Sequence, residues 1–191
     1  MEKLLFSLIT LVLVSYSRGQ APSCSDYPCP KYDVQEQNKD FEVRHYAGTD
    51  WITTKLSKRD SGSLMAAAKT LGDFCDAQKK AGHDIIDGWP ALITIEDGED
   101  SSTSLSWFLA PGSKPEVTDT SVTLEHKAEA TVYVRKYDGT PSLETALENK
   151  KILQEALVAA GKKFKEDISV GAVYESYFSL THHNEIWLYS A

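Results

Sequence analysis

His45 is the residue in this chain best placed to do chemistry. It lies in Phe41-Glu42-Val43-Arg44-His45-Tyr46, where apolar and polar residues alternate. As a strand, this stretch puts Phe41, Val43 and His45 on one face and Glu42, Arg44 and Tyr46 on the other. An imidazole that shares a face with two large apolar side chains needs a hydrogen-bond partner, a metal ion or solvent. Two readings follow: an axial ligand to iron, or a core histidine hydrogen-bonded to its neighbours. The other histidines offer less. His182 and His183 are adjacent and would point opposite ways on an extended segment, so they read as a solvated loop pair. His83 follows a helix-ending Gly82, where its cationic form suits the helix dipole. His126 reads as a surface residue beside Glu125 and Lys127. Cys75 falls on an apolar helix stripe and reads as structural rather than nucleophilic. The chain holds no Gly-x-Ser-x-Gly elbow, phosphate-binding glycine loop or dinucleotide fingerprint, so nothing in it argues for an enzyme.

The elements that must position these residues are short strands and two helices. Lys31–Val34, Phe41–Tyr46 and Trp51–Leu56 read as strands rich in β-branched and aromatic residues. A helix follows from a cap at Ser61 or Ser63 to about Lys80, with Leu64, Ala68, Leu71 and Cys75 at helical spacing. Gly72 inside it costs roughly 1 kcal/mol relative to alanine, which marks close packing or a ligand. Strands are then expected at Ala91–Ile95 and Ser104–Leu109. The pattern repeats with strands at Val122–Lys127 and Ala130–Tyr137 and a helix capped by Ser142 and ended by Gly161. Strands at Ile168–Phe178 and Glu185–Tyr189 close the chain. This is an α+β chain: a distorted antiparallel barrel or strongly curved sheet, built from two βαββ-like repeats with two helices packed on it.

Residues 1–19 read as a secretory signal peptide, in which Lys3 precedes the apolar run Leu4–Val14 and the small residues Ser17 and Gly19. The run is too short for a convincing membrane span. Residues 20–30 form an irregular lead-in, and 31–191 a single domain with repeats at about 31–112 and 113–191. The expected location is extracellular, with no membrane insertion of the mature form. The formal charge of −8 argues against nucleic acid as a partner. In an oxidising compartment two of Cys24, Cys29 and Cys75 should pair, either Cys24 with Cys29 or Cys29 with Cys75.

Together these residues resemble a known family. Phe41–Tyr46 followed by Trp51-Ile52-Thr53-Thr54, then Thr131–Gly139, then Asn184-Glu185-Ile186-Trp187-Leu188, resemble in order three motifs of the SOUL, or haem-binding protein, family. The resemblance covers roughly Cys29 to the C-terminus. It implies a distorted barrel of two repeats and non-catalytic binding of haem or another tetrapyrrole. It implies that His45 is a candidate iron ligand, and that Met65, Ala68 and Gly72 on the first helix line an apolar cleft for the cofactor. The chain departs from the family after the first helix, where Gly88-Trp89-Pro90-Ala91-Leu92 keeps only the proline and an apolar frame. It departs again before the last strand, where Phe178 replaces an expected lysine. Arg44, Lys55 or His182 are the candidates to meet a propionate in its place. Two other readings stand beside the haem reading: a binding module for another amphipathic small molecule, or an extracellular protein-interaction domain with a vestigial cleft.

Overall fold

The computed structural model describes residues 24, 26–86, 88–98, 101–118, 120–176, 179–180 and 182–191. The expected signal peptide and Phe178 lie outside them. Nine strands and two helices follow in the order β1 (Tyr32–Gln37), β2 (Glu42–Tyr46), β3 (Thr49–Lys55), α1 (Ser61–Lys80), β4 (Ala91–Glu96), β5 (Ser102–Leu109), β6 (Thr123–Lys127), β7 (Ala130–Asp138), α2 (Leu143–Ala159), β8 (Ile168–Val173) and β9 (His183–Tyr189). All strand pairs are antiparallel, in one sheet ordered β1-β2-β7-β9-β8-β4-β5-β3-β6. The expected α+β architecture of a strongly curved sheet with two helices on it is the observed one. β2-β3-α1-β4-β5 recurs as β6-β7-α2-β8-β9, and β1 is an addition ahead of the first unit.

The curl divides the apolar residues into three clusters. The concave face gathers side chains from distant strands, including Tyr46, Trp51, Phe108, Val132, Val170, Ala172 and Trp187, into one core. The convex face carries two separate cores, one under each helix. Leu71, Phe74 and Cys75 of α1 pack on Ile52 and Leu105. Leu153 and Leu157 of α2 pack on Phe41, Val43, Tyr133, Ile186 and Leu188. The period-2 alternation of the strands makes this possible, because each strand feeds the concave core and one helix core in turn.

Three local expectations are corrected. The α1 cap is Asp60, whose carboxylate accepts from the Ser63 N–H at 2.7 Å, rather than Ser61 or Ser63. A carboxylate also interacts better with the positive end of the helix than a hydroxyl does. The Ser142 cap of α2 is as expected, with a reciprocal bond to Thr145. β8 stops at Val173 rather than running on, where its pairing with β9 ends opposite Asn184. His182 and His183 are not a solvated pair: His183 opens β9 and is half-buried. Of the two disulfide pairings left open, the structure has Cys24–Cys29, and Cys75 is buried in α1.

Candidate functional site

The side chains with the strongest electrostatics lie inside the sheet. Alternation along β2 turns Glu42, Arg44 and Tyr46 to the concave face, and alternation along β9 turns His183, Glu185 and Trp187 to the same face. Between these strands runs β7, which presents Val132 and Val134 there, with Lys136 beyond them opposite Glu185. The Arg44 side chain crosses above them to Glu185. Nη1 and Nη2 donate to Oε2 and Oε1, each at 3.0 Å. Arg44 also donates to Glu42 at 2.9 Å and to the Tyr46 hydroxyl at 2.9 Å, and its guanidinium stands 4.3 Å from the centre of the Tyr32 ring. The Glu185 carboxylate accepts further bonds from the Tyr174 hydroxyl at 3.0 Å and the Trp187 indole at 2.7 Å, and its Oε1 is 3.0 Å from His183 Nε2. The Arg44 and Glu185 side chains are both 0% exposed. Lys136 reaches Glu42 at 2.7 Å from the rim of this group.

Burial pushes the Glu185 carboxyl up. The bond with His183, the charge and bonds of Arg44 and the Trp187 N–H outweigh it and bring the carboxyl down to about 2. Burial first, and then the charge of Glu185, drives Tyr174 and Tyr46 well above the ordinary phenol range, against the opposing charge of Arg44. The lone pairs of Glu185 are thus fully used. The pair is closed to solvent and has no capacity left for substrate or ligand. Arg44 therefore does not meet a propionate, contrary to the expectation that it replaces the missing loop lysine, because its donors are already committed inside the sheet.

The residues nominated from sequence lie on the convex face, in two places. His45 is half-buried in β2 beside β7. Its Nδ1 is 3.4 Å from Thr131 Oγ1, which leaves Nε2 as the nitrogen able to meet a metal. Its cross-strand neighbours are Asp33 and Thr131. Met65, Ala68 and Gly72 are on α1, which packs over β3 and β5. Met65 is 70% exposed, and Trp107 lies under Gly72. In the sheet order β2 and β5 are five steps apart, and the Ala47-Gly48 connection nonetheless joins β2 directly to β3, the neighbour of β5. On the convex side the β2 residues Phe41 and Val43, which share a face with His45, pack under α2, whereas α1 packs over β3 and β5. Lys55 is exposed at the end of β3, and His182 is half-buried.

A third place is an open cleft of about 440 Å³ at the C-terminal end of α1, lined by Lys79, Gly82, His83, Asp84, Ile85, Ile86 and Gly112. His83 Nε2 is 3.6 Å from Glu116. The helix end and the carboxylates of Asp84 and Glu116 make this cleft unfavourable for a dianionic ligand. Among the described residues, no group of three or more His, Cys, Asp or Glu side chains is arranged to hold a metal ion. Glu185 and Trp187 stand in the third family motif, but nothing local in the sequence assigns them or Tyr174 a role in this pair. The available signal was the second alternation, His183-x-Glu185-x-Trp187, which mirrors Glu42-x-Arg44-x-Tyr46 with an opposite charge at its centre.

A curled sheet sealed around a buried ion pair, with helices outside, defines the class of scaffold. Comparison with known proteins gives the family. The profile described as SOUL heme-binding protein matches residues 27–189, and the chain belongs to that family. Heme-binding protein 2 of Mus musculus is 28% identical over 181 residues, covering 90% of this chain and 88% of that protein. Heme-binding protein 2 of Homo sapiens is 27% identical over 179 residues, covering 89% and 87%. Among solved structures, a hydrolase from Listeria innocua has a TM-score of 0.58 at 12% identity, covering 82% of this chain and 94% of its own. The EcmrR C-terminal domain has a TM-score of 0.58 at 9% identity, covering 79% and 96%. SAV2435, solved with tetraphenylphosphonium, has a TM-score of 0.50 at 10% identity, covering 80% and 94%. These structural likenesses establish the fold alone.

Proposed function

We propose that this protein binds haem or a related tetrapyrrole without catalysing a reaction, and that it does so as a secreted protein. The observation that carries this reading is the match of the SOUL heme-binding profile across residues 27–189. Both heme-binding protein 2 relatives support it. The apolar leader and the Cys24–Cys29 disulfide support secretion. The interior does not fit the cofactor, because Arg44 and Glu185 are sealed and mutually satisfied. The convex face fits it in two alternative seats. At His45, an imidazole steadied by Thr131 offers Nε2 to the iron. On α1, Met65, Ala68 and Gly72 offer an apolar surface over Trp107 without a ligand to the metal. Bound haem would supply a Lewis-acidic iron, and the imidazole of His45 is the group proposed to meet it.

Titration with ferric haem, followed at the Soret band, tests the reading. Saturable binding at micromolar haem is the expected outcome. Loss of the shifted band in His45→Ala assigns the His45 seat. An unchanged band there, with loss in Ala68→Glu, assigns the α1 seat. The absence of any saturable spectral change in the wild type would sink haem binding. The commitment of Arg44 to Glu185 favours one second reading, a less anionic amphipathic ligand. Native mass spectrometry of the secreted protein distinguishes the two by the mass that co-purifies.

A further inference from the structure

The edge strand beside His45 brings charge onto the same face of the sheet. Asp33 stands directly opposite His45 in the β1–β2 ladder, and Glu36 stands opposite Val43. Residues three apart on a regular strand point to opposite faces. Here the register shifts between Val34 and Glu36, and this bulge turns Asp33 and Glu36 onto one face with Val43 and His45. Glu36 is thus the diagonal neighbour of His45, about 7–8 Å away across the ladder. Its Oε2 accepts from Lys162 Nζ at 2.6 Å. Lys162 follows the end of α2, where its backbone N–H donates to the Leu157 carbonyl at 2.9 Å. Leu157 is fully buried in one cluster with Val43, so the backbone of Lys162 is held over this part of the sheet. The Lys162 side chain is 31% exposed and that of Glu36 45%, so the ammonium is accessible from solvent.

We propose that Lys162 is the cation that receives a ligand carboxylate at the His45 seat, and that Glu36 positions it and competes for it. This rests on the haem reading and deepens it. Without Lys162, the seat would present Asp33 and Glu36 to a dianionic ring system, and like charges at this range oppose binding. Arg44 cannot supply the missing cation, because it is sealed in the interior. An exposed ion pair contributes little to folding, so exchanging Glu36 for a ligand carboxylate costs the protein little. The seat therefore selects a flat ring that bears a carboxylate over the neutral ester of the same ring.

The test uses the full mature chain. The probes are metal-free protoporphyrin IX and its dimethyl ester, read by porphyrin fluorescence, and ferric haem, read at the Soret band. The metal-free ring reports the carboxylate contact without iron ligation. The wild type should bind the free acid roughly tenfold more tightly than the ester. Lys162→Gln should abolish that preference, and Glu36→Gln should strengthen free-acid binding several-fold. Lys151→Gln makes the same charge change in an exposed pair of α2 and should leave binding unchanged. Without ligand, acetylation of Lys162 by an N-hydroxysuccinimide ester, followed by mass spectrometry, should be faster in Glu36→Gln. Haem binding that needs His45 but is indifferent to Lys162→Gln and to the ester would overturn this proposal and leave the haem reading standing. Equal losses in Lys162→Gln and Lys151→Gln would overturn it too, as a general charge effect. The absence of saturable binding by all three probes would overturn both readings.

Discussion

At the scale of residues, the defining feature is a guanidinium and a carboxylate taken wholly out of water. Desolvating both is costly, and the cost is offset only because nearly every donor and lone pair is matched. Glu42 and Tyr46 take the remaining Arg44 donors, and Tyr174, Trp187 and His183 surround Glu185. Such a group tolerates joint replacement better than the loss of one partner. Arg44→Ala should therefore lower stability by about 3–5 kcal/mol, because it strands a buried carboxylate. Urea unfolding measures this, and a loss below about 1 kcal/mol would contradict the geometry. An Arg44→Met/Glu185→Leu double variant should recover much of the loss. His45 belongs to the opposite category. It is half-buried with one long contact to Thr131, so its replacement reports on ligand binding more than on folding.

At the scale of elements, α1 is the clearest case of a helix whose sequence does not optimise its own stability. Glycine in a helix interior costs backbone entropy and must be explained by crowding or by function. Crowding does not explain Gly72, because a methyl group there would meet Trp107 at 3.7 Å, an ordinary contact. Gly72→Ala should accordingly raise the melting temperature, with a gain of about 0.5–1 kcal/mol. A drop in stability would show that Trp107 cannot accommodate the methyl. The two sheet edges are protected by charge: β1 carries Asp33 and Glu36, and β6 carries Glu125, His126 and Lys127. His126 pairs with Asp50 at 2.7 Å on this exposed edge, in agreement with its reading as a surface residue.

At the scale of the whole molecule, the buried pair couples folding to acidity. Glu185 has a carboxyl near 2 in the folded chain against 4.5 for an unperturbed one. Glu42 is lowered in the same direction, with burial opposing and Lys136 and Arg44 prevailing. A depressed carboxyl contributes stability that is complete above the unfolded value and is lost as pH falls toward the folded one. Stability should therefore decline between about pH 4.5 and pH 2, by on the order of 3 kcal/mol from Glu185. Urea midpoints at pH 7, 4.5 and 2.5 check this, and a flat profile would contradict it. The elements of this architecture were legible in the chain because period-2 alternation, the glycine and serine helix signals and the duplicated order are local properties. Phe41, Val43 and His45 were assigned to one face, and Glu42, Arg44 and Tyr46 to the other, from alternation alone. Alternation does not say which face is sealed. The polar face of β2 became the interior because the sheet curls around it and β9 brings a carboxylate from 141 residues away. The sequence determined the strands, the helices and the family. The tertiary structure decided that Arg44 and Glu185 are core residues, because burial depends on how the strands are ordered in space.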